Sequence, residues 1–367
     1  MIRKIGFLLL GETLLVPHIF PIVEAVAARA PDVDVDLWIA NAALERLVQP
    51  WTADIPSVRL MRVPGFRHDA QPPAKLPTLA RLLPSLARTP VVVCAEQTSL
   101  WVPRLLPWLP TRFVKTSHGV GSMSARDDPR RMAAHRTLVP SEQERGTYLV
   151  RGMPADRIVA TGYVKAAFRH RTASRSLFTE DRPVVLYAPH WQQHRSSWPA
   201  WGRVVVELLA GQLEWNVILA PHQRLVERAP EVREILDSVS DLPHVHCDLD
   251  SFSLVDGSYT SAADVYLGDT SSQVMEFLMR PRPAVFLDPD ARSWRSDPSY
   301  AMWHAGEVVT DTADILSALS RAPELHPGYR PVQIKLAADA LGDTTGVGAD
   351  RAADEVLRVL AMATGRV

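Results

Sequence analysis

The sequence contains very little cysteine and no long apolar run. Of its 367 residues only Cys94 and Cys247 are cysteines, and each lies in a strand-like segment far from the other. This argues against a disulfide framework and favours buried thiols in a reducing compartment. No stretch approaches the roughly 18 consecutive apolar residues that a membrane-spanning helix requires. The apolar run at Ile5–Leu10 is short and is not followed by a cleavage site, so it indicates a first β-strand and not a signal peptide.

The chain also lacks an excess of charge of either sign. Its formal net charge is -1, with 22% charged and 47% hydrophobic residues, which is typical of a globular protein and argues against a surface that coats nucleic acid. There is no GxxxxGK[ST] loop, no strand-borne GxGxxG and no GxSxG, so ATPases, simple dehydrogenases and α/β-hydrolases lose their main support. We find no DxD-like carboxylate pair that clearly indicates a divalent metal.

What the sequence does contain is an alternation of short apolar strands and amphipathic helices. The pattern begins at Ile5–Leu10 and restarts at Pro183–Ala188, after a polar and aperiodic segment. Such alternation with short turns predicts parallel sheets covered on both faces. We therefore expect an α/β chain of two Rossmann-like domains whose parallel sheets face a central cleft. The expected boundaries are 1–165 for the first domain, 166–182 for a linker, 183–345 for the second domain and 346–367 for a closing helix.

Proline is expected to interrupt one of the helices that periodicity predicts. The segment Leu76–Ala87 has helical spacing that Pro84 is expected to break. A helix is predicted at Ala313–Arg321, and Leu225–Val239 is predicted as a single helix.

Two polar features follow predicted strands, at the carboxyl ends where open parallel sheets bind ligands. The first is Ser117-His118-Gly119, in which His118 is suited to general base work and Gly119 lets a substrate approach the backbone. A capping or packing role for His118 is equally well supported. The second is Tyr187–Trp191, where His190 and His194 are four residues apart but no third ligand indicates a zinc site.

Two further features follow strands in the second half of the chain. Neutral His222 could hydrogen-bond a phosphate oxygen, and protonated His222 could neutralise the charge of a leaving group. The turn at 269–272 joins the strand Val265–Leu267 to a helix that begins near Gln273. Small hydroxyl residues at a helix N-terminus offer N–H and O–H groups to a phosphate, but they are also preferred capping residues. From the turn alone, the two explanations are equally supported.

Taken in order, these elements resemble the CDP-glycerol glycerophosphotransferase family, the teichoic-acid-type polymerases and primases of glycosyltransferase-B (GT-B) architecture. Any single match is weak, but six in the right order are fairly specific, and the resemblance covers roughly residues 112–365. The matched elements are His118-Gly119, Ser141-Glu142, Thr161-Gly162-Tyr163, Leu186–Trp191 with Pro189, His222, and the set Asp269, Ser271-Ser272, Glu276-Phe277, Pro283, Phe286 and Asp290.

The resemblance implies a transferase that moves glycerol phosphate, or a related polyol phosphate, from a CDP-linked donor to a glycan or lipid-linked acceptor in cell-surface polymer synthesis. It implies catalysis by His118, as base on the acceptor hydroxyl, and by His222, without a metal or a cofactor. The donor-binding residues would be Gly119, Pro189, Asp269, Thr270, Ser271, Ser272 and Glu276. We expect a cytoplasmic protein without a nucleic-acid partner. Leu76–Arg88 and Trp101–Arg112 mix aromatics, leucines and arginines, which would suit peripheral contact with the inner membrane. Core packing or the lining of an acceptor groove is the simpler explanation of the same composition.

The sequence departs from the family pattern at two places. Val164-Lys165 replaces the usual Pro-Arg pair, and Gln223 replaces the Pro that usually follows the histidine of the second domain. A GT-B nucleotide-sugar glycosyltransferase or a relative of UDP-GlcNAc 2-epimerase is therefore an alternative, with Glu276 imitating the helical glutamate of the epimerases. A non-catalytic nucleotide-binding relative is another alternative, favoured by the altered Gly162–Lys165 element.

Overall fold

Parallel β-strands form one sheet in each of two units of the chain. The computed structural model describes residues 3–117, 128–173 and 175–365. The first unit comprises residues 1–170 together with 339–367, and the second comprises residues 171–338.

The first unit contains a seven-stranded sheet. Its strands are β1 (Lys4–Leu9), β2 (Asp34–Asn41), β3 (Val58–Arg67), β4 (Val91–Cys94), β5 (Arg112–Thr116), β6 (Arg136–Val139) and β7 (Ile158–Ala160). Their order is β3-β2-β1-β4-β5-β6-β7, and every pair is parallel. The chain fills the sheet outward in one direction from β1 and then in the other from β4. The switch point, where a ligand is expected, therefore lies between β1 and β4.

The second unit contains a six-stranded sheet with the same winding. Its strands are β8 (Val184–Ala188), β9 (Asn216–Leu219), β10 (Val245–Cys247), β11 (Val265–Gly268), β12 (Ala284–Leu287) and β13 (Glu307–Val309). Their order is β10-β9-β8-β11-β12-β13, again all parallel. Its switch point lies between β8 and β11.

Helices follow most strands, as the alternation in the sequence predicts. Where a strand leads directly into a helix, an Asn or Ser side chain can cap it: the side chain of Asn41 accepts from the N–H of Leu44, and that of Ser141 from the N–H of Glu144. None of the described helices is long and apolar enough to cross a membrane. The helices are α1 (Val16–Arg29), α2 (Ala42–Thr52), α3 (Lys75–Leu86), α4 (Trp101–Leu105), α5 (Glu142–Val150), α6 (Trp198–Ala210), α7 (Gln223–Arg228), α8 (Glu231–Asp237), α9 (Ser258–Ala262), α10 (Ser272–Phe277), α11 (Ile315–Leu341) and α12 (Gly348–Ala363).

The central strands are apolar on both faces because helices cover both sides of each sheet. Every residue of β8 and of β11 is buried, and both strands contribute to the hydrophobic core of the second unit. β4 is buried along its whole length in the first unit. This pattern is typical of parallel sheets and confirms the predicted class, a chain of two parallel-sheet α/β domains.

The structure corrects the predicted bounds of two helices that contain proline. α3 continues through Pro84 to Leu86, with Leu79 and Leu82 buried on its inner face. α11 is 27 residues long and passes through three prolines, well beyond the predicted end at Arg321. Its continuation is anchored by Gln333, which is fully buried and donates to the carbonyl oxygens of Arg282 at 2.8 Å and Ala305 at 2.7 Å. Tertiary contacts therefore outweigh the local cost of proline here.

The segment predicted as one helix at 225–239 is two helices. α7 ends at Arg228 and α8 begins at Glu231, with Pro230 in the N-cap position of α8. A proline before a helix is compatible with its start, whereas one inside it removes a hydrogen bond.

The closing helix α12 belongs to the first unit, although it ends the chain. Arg29 at the end of α1 forms ion pairs with Asp350 at 3.3 Å and Asp354 at 3.0 Å. The aperiodic stretch that was predicted as a linker also has fixed contacts, because the backbone N–H of Thr172 donates to the carboxylate of Asp256 at 2.7 Å.

Candidate functional site

The carboxylate of Asp269 joins two loops at the switch point of the second sheet. Asp269 follows β11 directly, and its oxygens accept from the backbone N–H of His190 at 2.8 Å and of Ser197 at 3.0 Å. Both donors lie in the loop after β8. The side chain is 1% exposed, and this burial raises the pKa of Asp269 to about 7, against the opposing effect of the two N–H donors. Asp269 thus fixes the position of the loop after β8 relative to the turn after β11, and these two segments border the crevice.

The backbone at the end of β11 has a conformation that favours glycine. Gly268 has a φ of +146°, and a Cβ added there would lie 3.2 Å from the carbonyl oxygen of Ala188. Beside it, the hydroxyl of Tyr266 donates to the carbonyl oxygen of Asp269 at 3.1 Å. The two strands therefore approach closely, and the chain turns sharply into the segment that carries the hydroxyl residues.

The hydroxyl groups of this turn do not cap the helix that follows. Ser271 occupies the N-cap position of α10, yet its side chain accepts no capping hydrogen bond and lies 3.5 Å from the hydroxyl of Tyr266. Thr270 is 3% exposed, and within the described part of the chain its hydroxyl has no hydrogen-bond partner. Ser272 is exposed at the start of α10. A buried hydroxyl without a partner is unusual in proteins and calls for an explanation beyond helix capping.

Two histidines lie side by side at the ends of β8 and β9. The ring centroids of His190 and His222 are 6.0 Å apart. Their Nδ1 atoms accept from the backbone N–H of Gln192 and of Arg224, both at 3.1 Å. Burial is the main reason that the pKa of His190 is lowered to about 4, so this ring is neutral at neutral pH. With Nδ1 occupied as an acceptor, each neutral ring carries its proton on Nε2 and presents an N–H donor.

A tryptophan beside these histidines lies close to two arginines. The ring of Trp191 lies 5.8 Å from that of His190 and 6.1 Å from that of His222. The guanidinium groups of Arg224 and Arg228 lie 5.5 Å and 4.5 Å from the Trp191 ring centroid, within the range of cation–π attraction. Sequence reasoning passed over this group because only α7 brings both arginines beside the loop after β8.

Arg292 is a further cation of this edge that sequence reasoning missed. It follows β12, and its backbone N–H donates to the buried carboxylate of Asp288 at 2.7 Å. Its side chain donates to the carbonyl oxygen of His194 at 2.6 Å and to the hydroxyl of Tyr300, and its charge is compensated by an ion pair with Asp290. The preceding Ala291 has a φ of 47°, which is strained for a residue with a side chain. The location of Arg292 in the loop that follows a strand is the signal that could have identified it.

The switch point of the first sheet is built differently. Glu96 follows β4 and accepts from the backbone N–H of Leu10, just after β1, at 3.0 Å. The Nζ atom of Lys75 lies 3.3 Å from its second carboxylate oxygen. Burial raises the pKa of Glu96, although Lys75 acts in the opposite direction. The protein's own ion pair therefore occupies this crevice.

A second buried carboxyl lies at the end of β5. The hydroxyl of Ser117 donates to Glu144 at 3.2 Å, and burial raises the pKa of Glu144 to about 7. Burial likewise lowers the pKa of the neighbouring Lys115 to about 8. Ser117 also lines a cavity of about 10 Å³ at the ends of β5, β6 and β7, which is room for about one water molecule. The predicted base His118 and its neighbour Gly119 come next in the chain and lie outside the described residues.

The structure brings most of the predicted donor-binding residues to one edge of the second sheet. Pro189 is joined to His222, whose N–H donates to the Pro189 carbonyl oxygen at 3.2 Å. Glu276 lies farther along α10 and is 8% exposed. Among the described residues, no group of three or more His, Cys, Asp or Glu side chains is placed to hold a metal ion. Lys165, the last residue of the Gly162–Lys165 element, lies in the interior of the first unit and is 7% exposed.

Comparison with known proteins identifies similar folds. The chain matches no protein-family model and no curated protein sequence. A solved structure of the UDP-GlcNAc 2-epimerase from Neisseria meningitidis, bound to UDP-GlcNAc, is 13% identical with a TM-score of 0.62, covering 99% of this chain and 100% of that one. The wall teichoic acid polymerase TagF is 13% identical with a TM-score of 0.63, covering 98% of this chain and 89% of that one. HepE of Anabaena, in complex with UDP-glucose, is 15% identical with a TM-score of 0.53, covering 97% and 99%.

These similarities extend over nearly the whole chain and establish its fold. Two parallel-sheet α/β domains with such neighbours have a GT-B-like fold, as the sequence predicted. At identities this low the similarity establishes the fold only, and the activity depends on the residues at the switch point.

Proposed function

We propose that the protein is a transferase that moves glycerol phosphate, or a related polyol phosphate, from a CDP-linked donor to a glycan or lipid-linked acceptor. The observation that carries this proposal is the turn after β11. At a switch point, the buried Thr270 hydroxyl has no partner among the described residues and the Ser271 hydroxyl caps nothing. A buried hydroxyl without a partner, beside a second hydroxyl that does not cap the helix, suits the phosphate oxygens of a bound donor.

The charges around the turn also suit a pyrophosphate. His190 and His222 present N–H donors when neutral, and Arg224 and Arg228 after β9 add positive charge. An anion held by donors in a partly buried crevice is stabilised more than it would be in water. Asp269 has both oxygens engaged by backbone N–H groups, so in this proposal it shapes the crevice while its neighbours contact the donor.

The reaction would be an in-line displacement at the β-phosphorus of the donor. The acceptor oxygen forms a bond to this phosphorus while the bond to the bridging oxygen breaks, so glycerol phosphate joins the acceptor and CMP leaves. His118 stays the proposed base that takes the acceptor proton. His222 and the hydroxyls of Ser271 and Ser272 would stabilise the charge that develops on the leaving phosphate.

The comparisons support this proposal and one alternative. TagF, described as a wall teichoic acid polymerase in a structure soaked with CDPG, has a similar fold. The neighbours bound to UDP-GlcNAc and to UDP-glucose favour a UDP-sugar enzyme as the second candidate. Peripheral membrane contact remains part of the proposal, and what supports it is the exposure of Leu105 and Trp108 at the end of α4, 61% and 75%.

A donor panel with nucleotide-release detection tests the two candidates. Purified protein is incubated with an acceptor and with CDP-glycerol, CDP-ribitol, UDP-GlcNAc or UDP-glucose, and thermal shifts are recorded in parallel. We expect CDP-linked donors to raise the melting temperature and to release CMP, since a specific ligand stabilises the folded state by mass action. A response to UDP-sugars alone would favour the second candidate.

His222→Ala tests the role of the switch point in this reaction. We expect a loss of about 100-fold in the rate of CMP release, the effect of removing one donor to a developing negative charge. His68→Ala changes an exposed histidine of the first unit and is the matched control. Equal rates in the two variants would contradict the assigned role of His222.

A further inference from the structure

A second pocket in the same unit lies away from the switch point. It has a volume of about 350 Å³ and lies at β13, the last strand of the second sheet. Its walls come from the segment between β12 and β13, from β13 itself and from Tyr329 of α11. In the sheet β13 is two strands from β11, a separation of about 10 Å. The pocket volume falls at the lower end of the range for small-molecule sites.

Aromatic rings form the walls of this pocket and pack tightly on one another. The ring centroids of Trp294 and Trp303 are 5.7 Å apart, and those of Trp294 and His304 are 4.9 Å apart. The Nε2 atom of His304 lies 3.1 Å from the carbonyl oxygen of Arg295, which closes the segment on itself. Trp303 is only 3% exposed, so it is held in place by its neighbours. Trp294 and Tyr329 are half-buried, so these two rings and not Trp303 present surface to the pocket, and the guanidinium of Arg295 lies 4.9 Å from the Trp294 ring centroid. Rigid rings provide contact area at little entropic cost.

Hydrogen-bond donors and acceptors lie beside the rings. Glu307 lines the pocket and accepts from Nε of Arg321 at 3.0 and 3.1 Å, so its charge is compensated. The indole N–H of Trp303 is buried and has no acceptor among the described residues. Because the N–H of Asp288 donates to the carbonyl oxygen of Val309, the alternation of a parallel ladder directs the N–H and C=O of Val308 to the open edge of the sheet.

We propose that this pocket binds one or two pyranose sugar units. The C–H groups on the face of a sugar ring carry partial positive charge and pack on the electron-rich faces of aromatic rings. The sugar hydroxyls both donate and accept, which suits the mixture of Val308 backbone groups, Thr310, Arg295 and His304 around the rings. An acyl chain would require aliphatic walls, and Val308 is the only aliphatic side chain among the lining residues found in the described structure.

This site is independent of the proposed transfer reaction. Its residues are separate from those that hold Asp269, His190 and His222 at the switch point. A sugar bound at β13 would therefore add a carbohydrate contact to whatever reaction the switch point performs. It would not replace that reaction.

Titration of the full-length protein with saccharides tests the proposal. Isothermal calorimetry and tryptophan fluorescence are recorded with methyl glucoside, methyl galactoside, N-acetylglucosamine and maltose, and with glycerol and cytidine as comparison ligands. We expect at least one saccharide to bind with a Kd on the order of 1 mM and glycerol to have no effect. Trp294→Ala should weaken binding about tenfold or more, because a stacking ring is lost. Trp108→Ala, at a tryptophan of the first unit that is 75% exposed, should bind as the unchanged protein does.

A second variant keeps the test decisive if Trp294→Ala unfolds. Tyr329→Leu retains an apolar side chain on another wall of the pocket but removes the ring, and it should weaken saccharide binding as well. Absence of binding by every saccharide, unchanged binding by both pocket variants, or binding of cytidine alone would overturn the proposal. The thermal shift with CDP-glycerol should be the same in the folded pocket variants as in the unchanged protein. This measurement separates failure at the pocket from failure at the switch point.

Discussion

The two sheets have the same winding but different switch points. In each, a buried acid follows the fourth strand in chain order and accepts from a backbone N–H just after the first strand. Glu96 accepts from Leu10 at 3.0 Å in the first unit, and Asp269 accepts from His190 at 2.8 Å in the second. The acid serves the same structural purpose in both, because it ties together two loops that topology brings to one place.

What surrounds each acid is different. Beside Glu96 lies Lys75, and a Cβ added at Gly11 would meet the Nζ of Lys75 at 2.9 Å and the carboxylate of Glu96 at 3.3 Å. Beside Asp269 lie two imidazoles and the hydroxyl of Thr270, which has no partner within the described structure. One crevice contains the protein's own ion pair, whereas the other presents hydrogen-bond donors that suit an external anion. A shared sheet order therefore does not imply a shared function.

The largest expected difference between the two switch points is in the local free energy of unfolding when each acid is replaced by alanine. Asp269→Ala leaves two backbone N–H groups unpaired and should lower the local free energy of unfolding by roughly 2–5 kcal/mol. Glu96→Ala leaves one N–H group and Lys75, whose side chain is 34% exposed and can reach water. Its expected cost is roughly 1–3 kcal/mol. Native-state hydrogen exchange of peptides that cover each switch point measures both values. A cost for Glu96→Ala that equals or exceeds that for Asp269→Ala would contradict the stated difference between the two switch points.

Lys75→Met tests the claim that an ion pair satisfies the first crevice. Burial raises the pKa of Glu96 and Lys75 lowers it, so removing Lys75 raises that pKa further. Because the pKa of Glu96 is raised in the folded state, Glu96 stays protonated there at pH values at which the unfolded chain has already lost this proton. The stability of the folded state therefore falls as the pH rises above the ordinary glutamate pKa. We expect a loss of roughly 1–2 kcal/mol at about pH 8 and a smaller one at about pH 5.

Urea unfolding at the two pH values measures this difference. The thermal shift with CDP-glycerol should stay as it is in the unchanged protein, since the second crevice is untouched. A loss of stability that is independent of pH would show that the charge of Lys75 does not act on Glu96.

Thr270→Val is expected to change stability least of these variants. Its expected effect is on donor binding. The substitution removes a buried hydroxyl that has no partner in the described structure, so stability should change by less than about 0.5 kcal/mol. Donor affinity should fall about tenfold, the value of one hydrogen bond to a charged group. Thr111→Val is the matched control, because its buried hydroxyl donates to the carbonyl oxygen of Leu86 at 2.6 Å.

Thr111→Val should show the opposite pattern, with stability lowered by about 1 kcal/mol and donor affinity unchanged. Calorimetric titration with CDP-glycerol and urea unfolding of both variants give the two quantities. Unchanged donor affinity in Thr270→Val would remove the observation on which the proposed function rests.

Much of the fold could be predicted from local patterns, but the ends of several elements could not. Apolar runs such as Val184–Ala188 identify buried strands because both faces of a parallel sheet are covered. The predicted helix at 313–321 was too short, because α11 continues to Leu341 and the buried side chain of Gln333 holds its second half in place. A prediction from local spacing has no access to that contact.

The site was predictable only in part. His222 and the residues 269–272 follow strands, so their place at the carboxyl edge could be inferred from the order of elements. The same rule applies to Arg292, which the sequence analysis overlooked because no motif marked it. His190 was considered only as a metal ligand, whereas the structure shows its backbone N–H bonded to Asp269 and its ring beside His222.

The class of the chain, a parallel α/β protein with two domains, could be inferred from sequence because the periodicity of apolar residues is a local property of each strand and helix. The residues that follow each strand could be identified in the same way. Which strand ends meet is known from the folded structure alone. His190 and Asp269 are 79 residues apart in the chain, and Arg29 and Asp350 are 321 apart. Pairs so distant leave no local pattern, and they form only because the winding of each sheet brings their strands and helices together.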